Sequence, residues 1–143
     1  MTADEIIELL RLEAHPEGGY YRQTWVDMSE GARPAGTAIY FLLREGQASH
    51  WHKVDAAETW HFYAGAPLLL RVSPTERGPA TIYRLGNDLT SEARPQITVP
   101  KDHWQAAATT GDWTLVGCTV SPGFRFEGFT LAEPGFDIPT TSG

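Results

Sequence analysis

About ten short segments rich in β-branched and aromatic residues follow one another along most of this 143-residue chain. They read YYRQTWV, TAIYFLL, SHWHKV, ETWHFYA, PLLLRV, ATIYRL, QITV, HWQAAA, WTLVGCTV and FRFEGFTL. Gly, Pro, Asn and Asp separate them, and no stretch after Ala14 keeps a helical period. Because strand signals at this spacing are typical of all-β sandwiches and barrels, the sequence predicts a closed or double-sheet β architecture.

A short helix precedes the strands. Thr2 and Glu5 have the spacing of a capping box, and apolar residues follow them at helical intervals. The segment HPEGG (15–19) then changes the chain direction, because Pro and Gly are costly inside a helix. We expect a single domain over the whole chain, with a helical segment over 1–14 and a loose tail over 137–143.

Charge and composition narrow the function classes. The net charge is −7 and Lys and Arg form no cluster, which argues against a nucleic-acid partner. The chain has no apolar run of the length that a membrane span needs. Cys118 is the single cysteine, and the first ten residues carry acids where a signal peptide would carry Lys or Arg. We therefore expect a cytoplasmic protein without a membrane or nucleic-acid partner.

Residues 46–65 contain three of the five histidines and two of the five tryptophans. On a strand, His50 and His52 would point to the same face, about 6.6 Å apart. Glu58 opens the next strand segment and can add a carboxylate. Two imidazoles and a carboxylate form the facial set that holds a transition metal and leaves positions open for a substrate. His50, His52 and Glu58 are our candidate metal ligands and candidate catalytic residues.

The H-x-H pattern is weak by itself, since histidines on strands are often half-buried polar residues. The same periodicity sends His61 to the face opposite Glu58, which favours a structural or interface role for it. Cys118 lies in an apolar strand segment, and we interpret it as a small buried residue.

The complete spacing carries more information. Residues 46–65 follow one spacing: Gly46, three residues, His50-x-His52, five residues, Glu58, six residues and Gly65. This spacing resembles the first conserved motif of the cupin superfamily. Further segments are similar to those of a small, uncharacterised branch of single-domain cupins: HPEGGYYRQTW, TAIYFLL, ETWHFYAGAPLLL, VPKDHWQAA and GCTVSPGFRFEGFTLAE. The resemblance covers roughly residues 3–136 by motif alignment. It implies a jelly-roll β-barrel, so that the full expectation is an all-β cupin jelly roll with a short N-terminal helix.

The second cupin motif, approximately P-x-G-x-x-H, is altered here. Pro100, Asp102 and Gln105 stand at its positions, so the resemblance makes Gln105 the fourth neighbour of the metal. An amide oxygen is a poorer ligand for a transition metal than imidazole. His103 lies two residues before Gln105 and can substitute for it, or it is a turn residue after Pro100.

Further side chains are candidates for ligand binding. Trp60 and Phe62 share the face of Glu58, where they either line a barrel mouth or pack in the core. Tyr20 and Arg22 follow the HPEGG turn, and Arg22 either binds an anionic ligand or pairs with a surface carboxylate. With His103 and Gln105 they complete the predicted ligand-binding set.

With the resemblance, these residues predict a small-molecule-binding cupin that acts as a metal-dependent enzyme, isomerase- or epimerase-like or oxygenase-like, on a small polar metabolite. The predicted cofactor is a divalent ion (Fe, Mn, Ni or Zn). A variant without metal stays open, for which the resemblance to cupin-type sugar-nucleotide epimerases implies a histidine as general base and a tyrosine as acid. The alternative is a non-catalytic ligand-binding or structural module. The resemblance and the open sheet edges of a jelly roll also imply a homodimer.

Overall fold

The computed structural model describes residues 1–28, 31 and 33–140. These residues form one α-helix, α1 (Ala3–Leu10), and eleven strands: β1 (Glu13–Ala14), β2 (Tyr20–Val26), β3 (Thr37–Arg44), β4 (Ala48–Val54), β5 (Ala57–Gly65), β6 (Leu68–Ser73), β7 (Thr81–Leu85), β8 (Gln96–Val99), β9 (Trp104–Thr109), β10 (Trp113–Ser121) and β11 (Phe129–Leu131). Short 3₁₀ turns occupy Leu89–Ser91 and Phe126–Gly128.

The strands form two antiparallel sheets. One sheet has six strands in the order β1-β2-β3-β10-β5-β8, and the other has five in the order β11-β4-β9-β6-β7. Chain neighbours such as β4 and β5 lie in different sheets, so the chain crosses between the two layers as in a jelly roll. The predicted all-β jelly roll with a short N-terminal helix is confirmed.

Helix α1 begins with the predicted capping box. The Thr2 hydroxyl accepts from the Glu5 N–H at 3.2 Å, and the Glu5 carboxylate accepts from the Thr2 N–H at 3.1 Å. The helix ends at Leu10 because Arg11 turns left-handed, with φ 57°. The helical segment is thus shorter than the expected 1–14, since Glu13–Ala14 already pair with β2. No helix in the described part of the chain is long and apolar enough to cross a bilayer.

Strand β3 is buried on both of its faces, which explains its uninterrupted apolar run. Phe41 and Leu43 point between the sheets, into a core shared with Trp60 and Leu70. Leu42 points the other way and packs in the cluster that includes the apolar face of α1. The helix therefore covers the outer surface of the six-stranded sheet over β3.

Residues 124–131 depart from the strand that the sequence predicts. Only Phe129–Leu131 form a strand, paired with β4, and a 3₁₀ turn precedes them. The Gly128 N–H closes this turn on the Arg125 carbonyl at 3.0 Å. Gly128 also lies directly against the Asp55 side chain, where a Cβ would collide. The alternation of Phe124 and Phe126 predicts a strand. The prediction fails here because sequence periodicity carries no information about the contact between Gly128 and Asp55.

The expected loose tail is wrong for residues 137–140. Ile138 is 0% exposed and packs with Trp51 and Trp104 on the outer face of the five-stranded sheet. The Trp51 indole N–H donates to Asp137 Oδ1 at 2.8 Å, and Thr140 forms a β-bridge with Ala80. Residues 141–143 lie outside the described part of the chain.

Shortening Ile138 tests this packing. We expect Ile138→Ala to lower the free energy of unfolding by about 2–5 kcal/mol, since it removes buried methyl groups and leaves a cavity. The control Leu9→Ala removes the same number of carbon atoms at a position on α1 that is 67% exposed, where about 0.5 kcal/mol or less is expected. Urea denaturation measures both. Equal effects would mean that this segment does not pack as described.

Candidate functional site

The HPEGG turn, residues 15–19, inserts a glutamate between the two sheets. The turn closes through the His15 N–H to the Gly19 carbonyl and the Gly18 N–H to the His15 carbonyl, each at 3.0 Å. Gly18 has φ +109° and lies so close to the Ala48 carbonyl that a Cβ would not fit. These contacts hold Glu17 beside β4, where only glycine allows the backbones to approach.

The turn changes the register of β4. Ser49 pairs with Ala107 and His52 with Gln105, so that two residues of β4 stand opposite one residue of β9. At this bulge the His50 N–H donates to the Glu17 carbonyl at 2.8 Å instead of to β9. The bulge breaks the alternation of side chains along the strand.

His50 and His52 consequently do not share a face, and that prediction is wrong. His52 points into the barrel and is 1% exposed. The His50 ring lies outside, with Nε2 at 2.8 Å from the Glu133 carbonyl. The period of two fails because the bulge inserts an extra residue between the inward positions of Ser49 and His52.

A cavity of about 140 Å³ lies between the sheets at this point. Its inner wall is ionisable, and its mouth is aromatic and apolar. The lining comprises His15, Glu17, Tyr21, Gln23, Thr37, Ile39, His52, Val54, Glu58, Cys118, Val120, Phe124 and Phe126. Gln23 and Phe126 are exposed, which places the mouth at their side of the barrel.

His52 faces Glu17 across the cavity wall. His52 Nδ1 lies 2.7 Å from the His50 carbonyl, which can only accept, so we assign the ring proton to Nδ1. The neutral ring then carries its lone pair on Nε2, which is 3.6 Å from Glu17 Oε2. The Ser49 hydroxyl donates to the same Glu17 oxygen, and His15 Nδ1 lies 3.3 Å from Glu17 Oε1.

Glu58 is held from the side of β9. Gln105 Nε2 donates to Glu58 Oε1 at 2.8 Å, and the Trp60 indole N–H donates to Gln105 Oε1 at 2.7 Å. The amide carbonyl of Gln105 is therefore engaged by Trp60 and is directed away from the cavity, whose lining does not include Gln105. Gln105 is placed to position Glu58, which differs from the predicted role as a metal ligand.

Burial shifts the pKa values of the ionisable wall. It raises the pKa of Glu17 to about 8, against a smaller opposing effect of the Ser49 hydrogen bond. It raises the pKa of Glu58 to about 7, with His52 opposing and Glu17 adding to the shift. Burial lowers the pKa of His15 to about 4 and also lowers the pKa of His52. At neutral pH the wall thus holds neutral imidazoles beside a protonated Glu17.

Tyr20 and Arg22 point away from the cavity. Tyr20 lies under the Arg44 guanidinium, which donates to its hydroxyl at 2.7 Å. Arg22 is exposed and reaches the Leu10 carbonyl at 3.4 Å. Their neighbours on β2, Tyr21 and Gln23, line the cavity instead.

The remaining predicted ligand-binding residues also lie outside the cavity lining. Trp60 is buried in the central core, and Phe62 packs against that core. His103 is a turn residue, with Nδ1 at 3.2 Å from the Lys101 carbonyl. His61 lies on the outer face of its sheet, 2.9 Å from the Thr119 hydroxyl, as its periodicity predicts.

Sequence reasoning missed Glu17, His15 and Ser49 as site residues. The two consecutive glycines after Glu17 were the available signal, because both adopt positive φ, and together they allow a sharp inward turn. Nothing in the periodicity shows that this turn reaches the barrel interior. No sequence pattern identifies Ser49 as a site residue.

The metal set predicted from the sequence does not fit this geometry. Of the four predicted ligands, His50 lies outside the barrel, and the carbonyl oxygen of Gln105 accepts from the Trp60 indole N–H. Only His52 and Glu58 remain as ligands on the cavity wall. Within residues 1–28, 31 and 33–140, no group of three or more His, Cys, Asp or Glu side chains is arranged to hold an ion.

The two-sheet jelly roll around a cavity lined by histidine and glutamate defines a cupin-type barrel protein. The chain belongs to the DUF985 family of the cupin superfamily, whose model matches residues 4–132. The family predicted from the sequence motifs is confirmed.

Solved structures agree with this assignment. A Shewanella oneidensis protein solved by X-ray crystallography is 42% identical, with a TM-score of 0.87 over 93% of this chain and 85% of the other. A hypothetical protein from Leishmania major is 30% identical, with a TM-score of 0.83 over 95% of this chain and 90% of the other. A Bacillus subtilis oxalate decarboxylase variant is 14% identical, with a TM-score of 0.63 over 82% of this chain and 29% of the other, and it shows the fold alone. No curated protein matches the chain.

The raised pKa of Glu17 makes stability depend on pH. Its ordinary pKa is 4.5, so the folded chain binds the proton more tightly than the unfolded chain. The resulting stabilisation is complete below about pH 4.5 and is lost as the pH rises through about 8. We expect the free energy of unfolding to fall by about 1.5 kcal/mol more in the wild type than in Glu17→Gln between pH 6.5 and 8.

Urea denaturation at several pH values measures this difference. Glu127→Gln serves as the control, because Glu127 is exposed and should keep the pH dependence of the wild type. Parallel curves for the wild type and Glu17→Gln would contradict the buried, protonated state of Glu17.

Proposed function

We propose that the barrel cavity binds a small polar metabolite and transfers a proton on it, as isomerases and epimerases do. One observation carries the proposal: His52 Nε2 and Glu17 Oε2 lie 3.6 Å apart on the wall of a buried cavity. A neutral imidazole is a base and a protonated carboxyl is an acid, so the two can act on one ligand. Groups whose pKa values are shifted in opposite directions are typical of acid–base sites.

The proton transfer balances without a further reactant. His52 Nε2 removes a proton from the carbon beside a carbonyl group, while the Glu17 O–H protonates the carbonyl oxygen. The C–H electron pair becomes the carbon–carbon double bond of an enol, and the carbonyl π pair becomes the O–H bond. The protonated His52 then returns its proton to another carbon or to the other face, while an enol O–H gives its proton back to the Glu17 carboxylate, which re-forms a carbonyl group and restores both side chains.

The cavity volume limits the size of the ligand. A cavity of about 150 Å³ is large enough to hold benzene, and this cavity measures about 140 Å³. We therefore expect a ligand with roughly six non-hydrogen atoms inside the barrel. Larger substrates would extend past Gln23 and Phe126 into solvent.

Metal-dependent chemistry is the second candidate, and the orientation of His52 favours it. Metal-binding histidines commonly donate their other ring N–H to a backbone carbonyl, as His52 does to His50. A divalent ion (Fe, Mn, Ni or Zn) here would have only two ligands among the described side chains, His52 Nε2 with Glu17 or Glu58, and would supply Lewis-acid chemistry.

Substitution of His52 tests the acid–base proposal. With dihydroxyacetone or erythrulose in D₂O, we expect the wild type to exchange carbon-bound protons with the solvent. We expect the exchange rate of His52→Gln to be lower by a factor of about 100 or more. His61→Gln is the matched control, since His61 lies on the outer face and should exchange at the wild-type rate. NMR follows the exchange. Unchanged exchange in His52→Gln would refute the role of His52, and binding without exchange in the wild type would favour a non-catalytic module.

Chelation separates the two catalytic candidates. For metal-free acid–base chemistry we expect proton exchange to persist after treatment with EDTA and dialysis. Loss of exchange, with recovery on adding one of the four metals and stoichiometric metal by elemental analysis, would support the metal-dependent candidate instead.

We also propose that the chain forms a homodimer. Strands β7 and β8 are edges of their sheets, and β7 carries the exposed residues Ile82 and Tyr83. Open edges that expose apolar residues are commonly covered by a second chain. Light scattering at micromolar concentration should give twice the mass of the 15.8 kDa chain, and a monomer mass would contradict the proposal.

A further inference from the structure

We infer that the barrel cavity is selective for a small organic cation, an amine or amidine, and discriminates against anions. The inference deepens the proposed function by naming the charge of its substrate. It rests on the same cavity being the ligand site.

The first support is the distribution of charge around the cavity. Its wall contains two glutamates, Glu17 and Glu58, and no lysine or arginine among the lining residues that the structure describes. The arginines near the mouth are engaged elsewhere. Arg33 donates to both oxygens of Asp55, at 2.6 and 3.1 Å, and Arg125 donates to the same carboxylate at 3.3 Å. An anion entering the cavity would find no cationic side chain there.

The second support is independent of charge. His52 is 1% exposed, and within the described residues its Nε2 makes no hydrogen bond shorter than its 3.6 Å approach to Glu17. The lone pair on this Nε2 lies at the cavity wall beside Glu17 and can accept from a donor on a ligand. Ammonium and amidinium groups have donors and no acceptor, so they can satisfy Nε2 and a glutamate oxygen together. A carboxylate ligand has only acceptors to offer to these groups.

Glu58 is the residue best placed to supply the counter-charge. One of its oxygens is fixed by Gln105, and no lysine or arginine among the described residues lines the cavity beside it. A buried carboxyl is stabilised in its charged form by a cation at short range. Glu17 can then keep its proton and remain the acid of the proposed reaction.

The aromatic mouth suits the same ligand. Tyr21, Phe124 and Phe126 line it, and the rings of Phe124 and Phe126 are 5.0 Å apart. Aromatic faces attract organic cations through their quadrupole and do not attract carboxylates in this way. The glutamates of the wall, the hydrogen-bond acceptors on it and the aromatic mouth of the cavity therefore all favour a small organic cation.

Three probes of the same shape test the inference on the wild-type protein: acetamidinium, acetamide and acetate. They share a planar skeleton and differ in charge, so size and shape cannot explain a difference in binding. By NMR titration or calorimetry at pH 7, we expect acetamidinium to bind at least about tenfold more tightly than acetamide, and acetate to bind most weakly. Equal affinities, or tighter binding of acetate, would overturn the inference.

Substitution locates the effect. We expect Glu58→Gln to reduce acetamidinium affinity about tenfold and to change acetamide affinity less than about twofold. Glu127→Gln, an exposed glutamate, should leave all three affinities unchanged. An unchanged preference in folded Glu58→Gln would refute the role of Glu58, and the wild-type probe series remains decisive if that variant does not fold.

The failures of the two proposals are distinguishable. Preferred binding of acetamidinium without proton exchange on any carbonyl probe would support the cation site and reject acid–base catalysis. Proton exchange on neutral carbonyl compounds without a preference for acetamidinium would support catalysis and overturn the cation site.

Discussion

The backbone hydrogen bond between the His50 N–H and the Glu17 carbonyl determines the geometry of the site. A regular β4 would direct this N–H toward its sheet neighbour and would keep His50 and His52 on one face. Because the HPEGG turn takes the bond, β4 bulges, His50 turns outward and Glu17 occupies space inside the barrel. One main-chain contact thus replaces an H-x-H pair with a histidine–glutamate pair.

The amide at position 105 is explained by its two neighbours. Trp60 offers an N–H donor and Glu58 offers acceptors, and a group that links them must accept at one atom and donate at another. A glutamine does both, at 2.7 and 2.8 Å. An ionised carboxylate at this position could accept from Trp60 but could not donate to Glu58. The departure from the second cupin motif therefore substitutes a positioning residue for a ligand.

The fold could be predicted from the sequence, but only part of the site could. Strands such as Thr37–Arg44 are marked by local composition and by the turn residues at their ends, which is information that survives without tertiary contacts. His52 and Glu58 were predicted correctly as inward-facing, because each follows the alternation of its own strand from a buried neighbour. His50 failed because a bulge is caused by a distant segment, and Glu17 was missed because its position depends on where a loop docks.

Burying Glu17 costs free energy of folding, and this cost bears on the function of the site. Keeping Glu17 protonated at pH 7, against an ordinary pKa of 4.5, costs on the order of 3 kcal/mol relative to an exposed glutamate. That is a substantial part of the stability of a small domain. An apolar residue would fill the same space without this penalty, and the core around Phe41 and Trp60 shows that this barrel packs apolar side chains well. Ionisable groups that line a cavity, with His52 Nε2 and Glu17 Oε2 3.6 Å apart, fit a chemical or ligand-binding role better than a structural one.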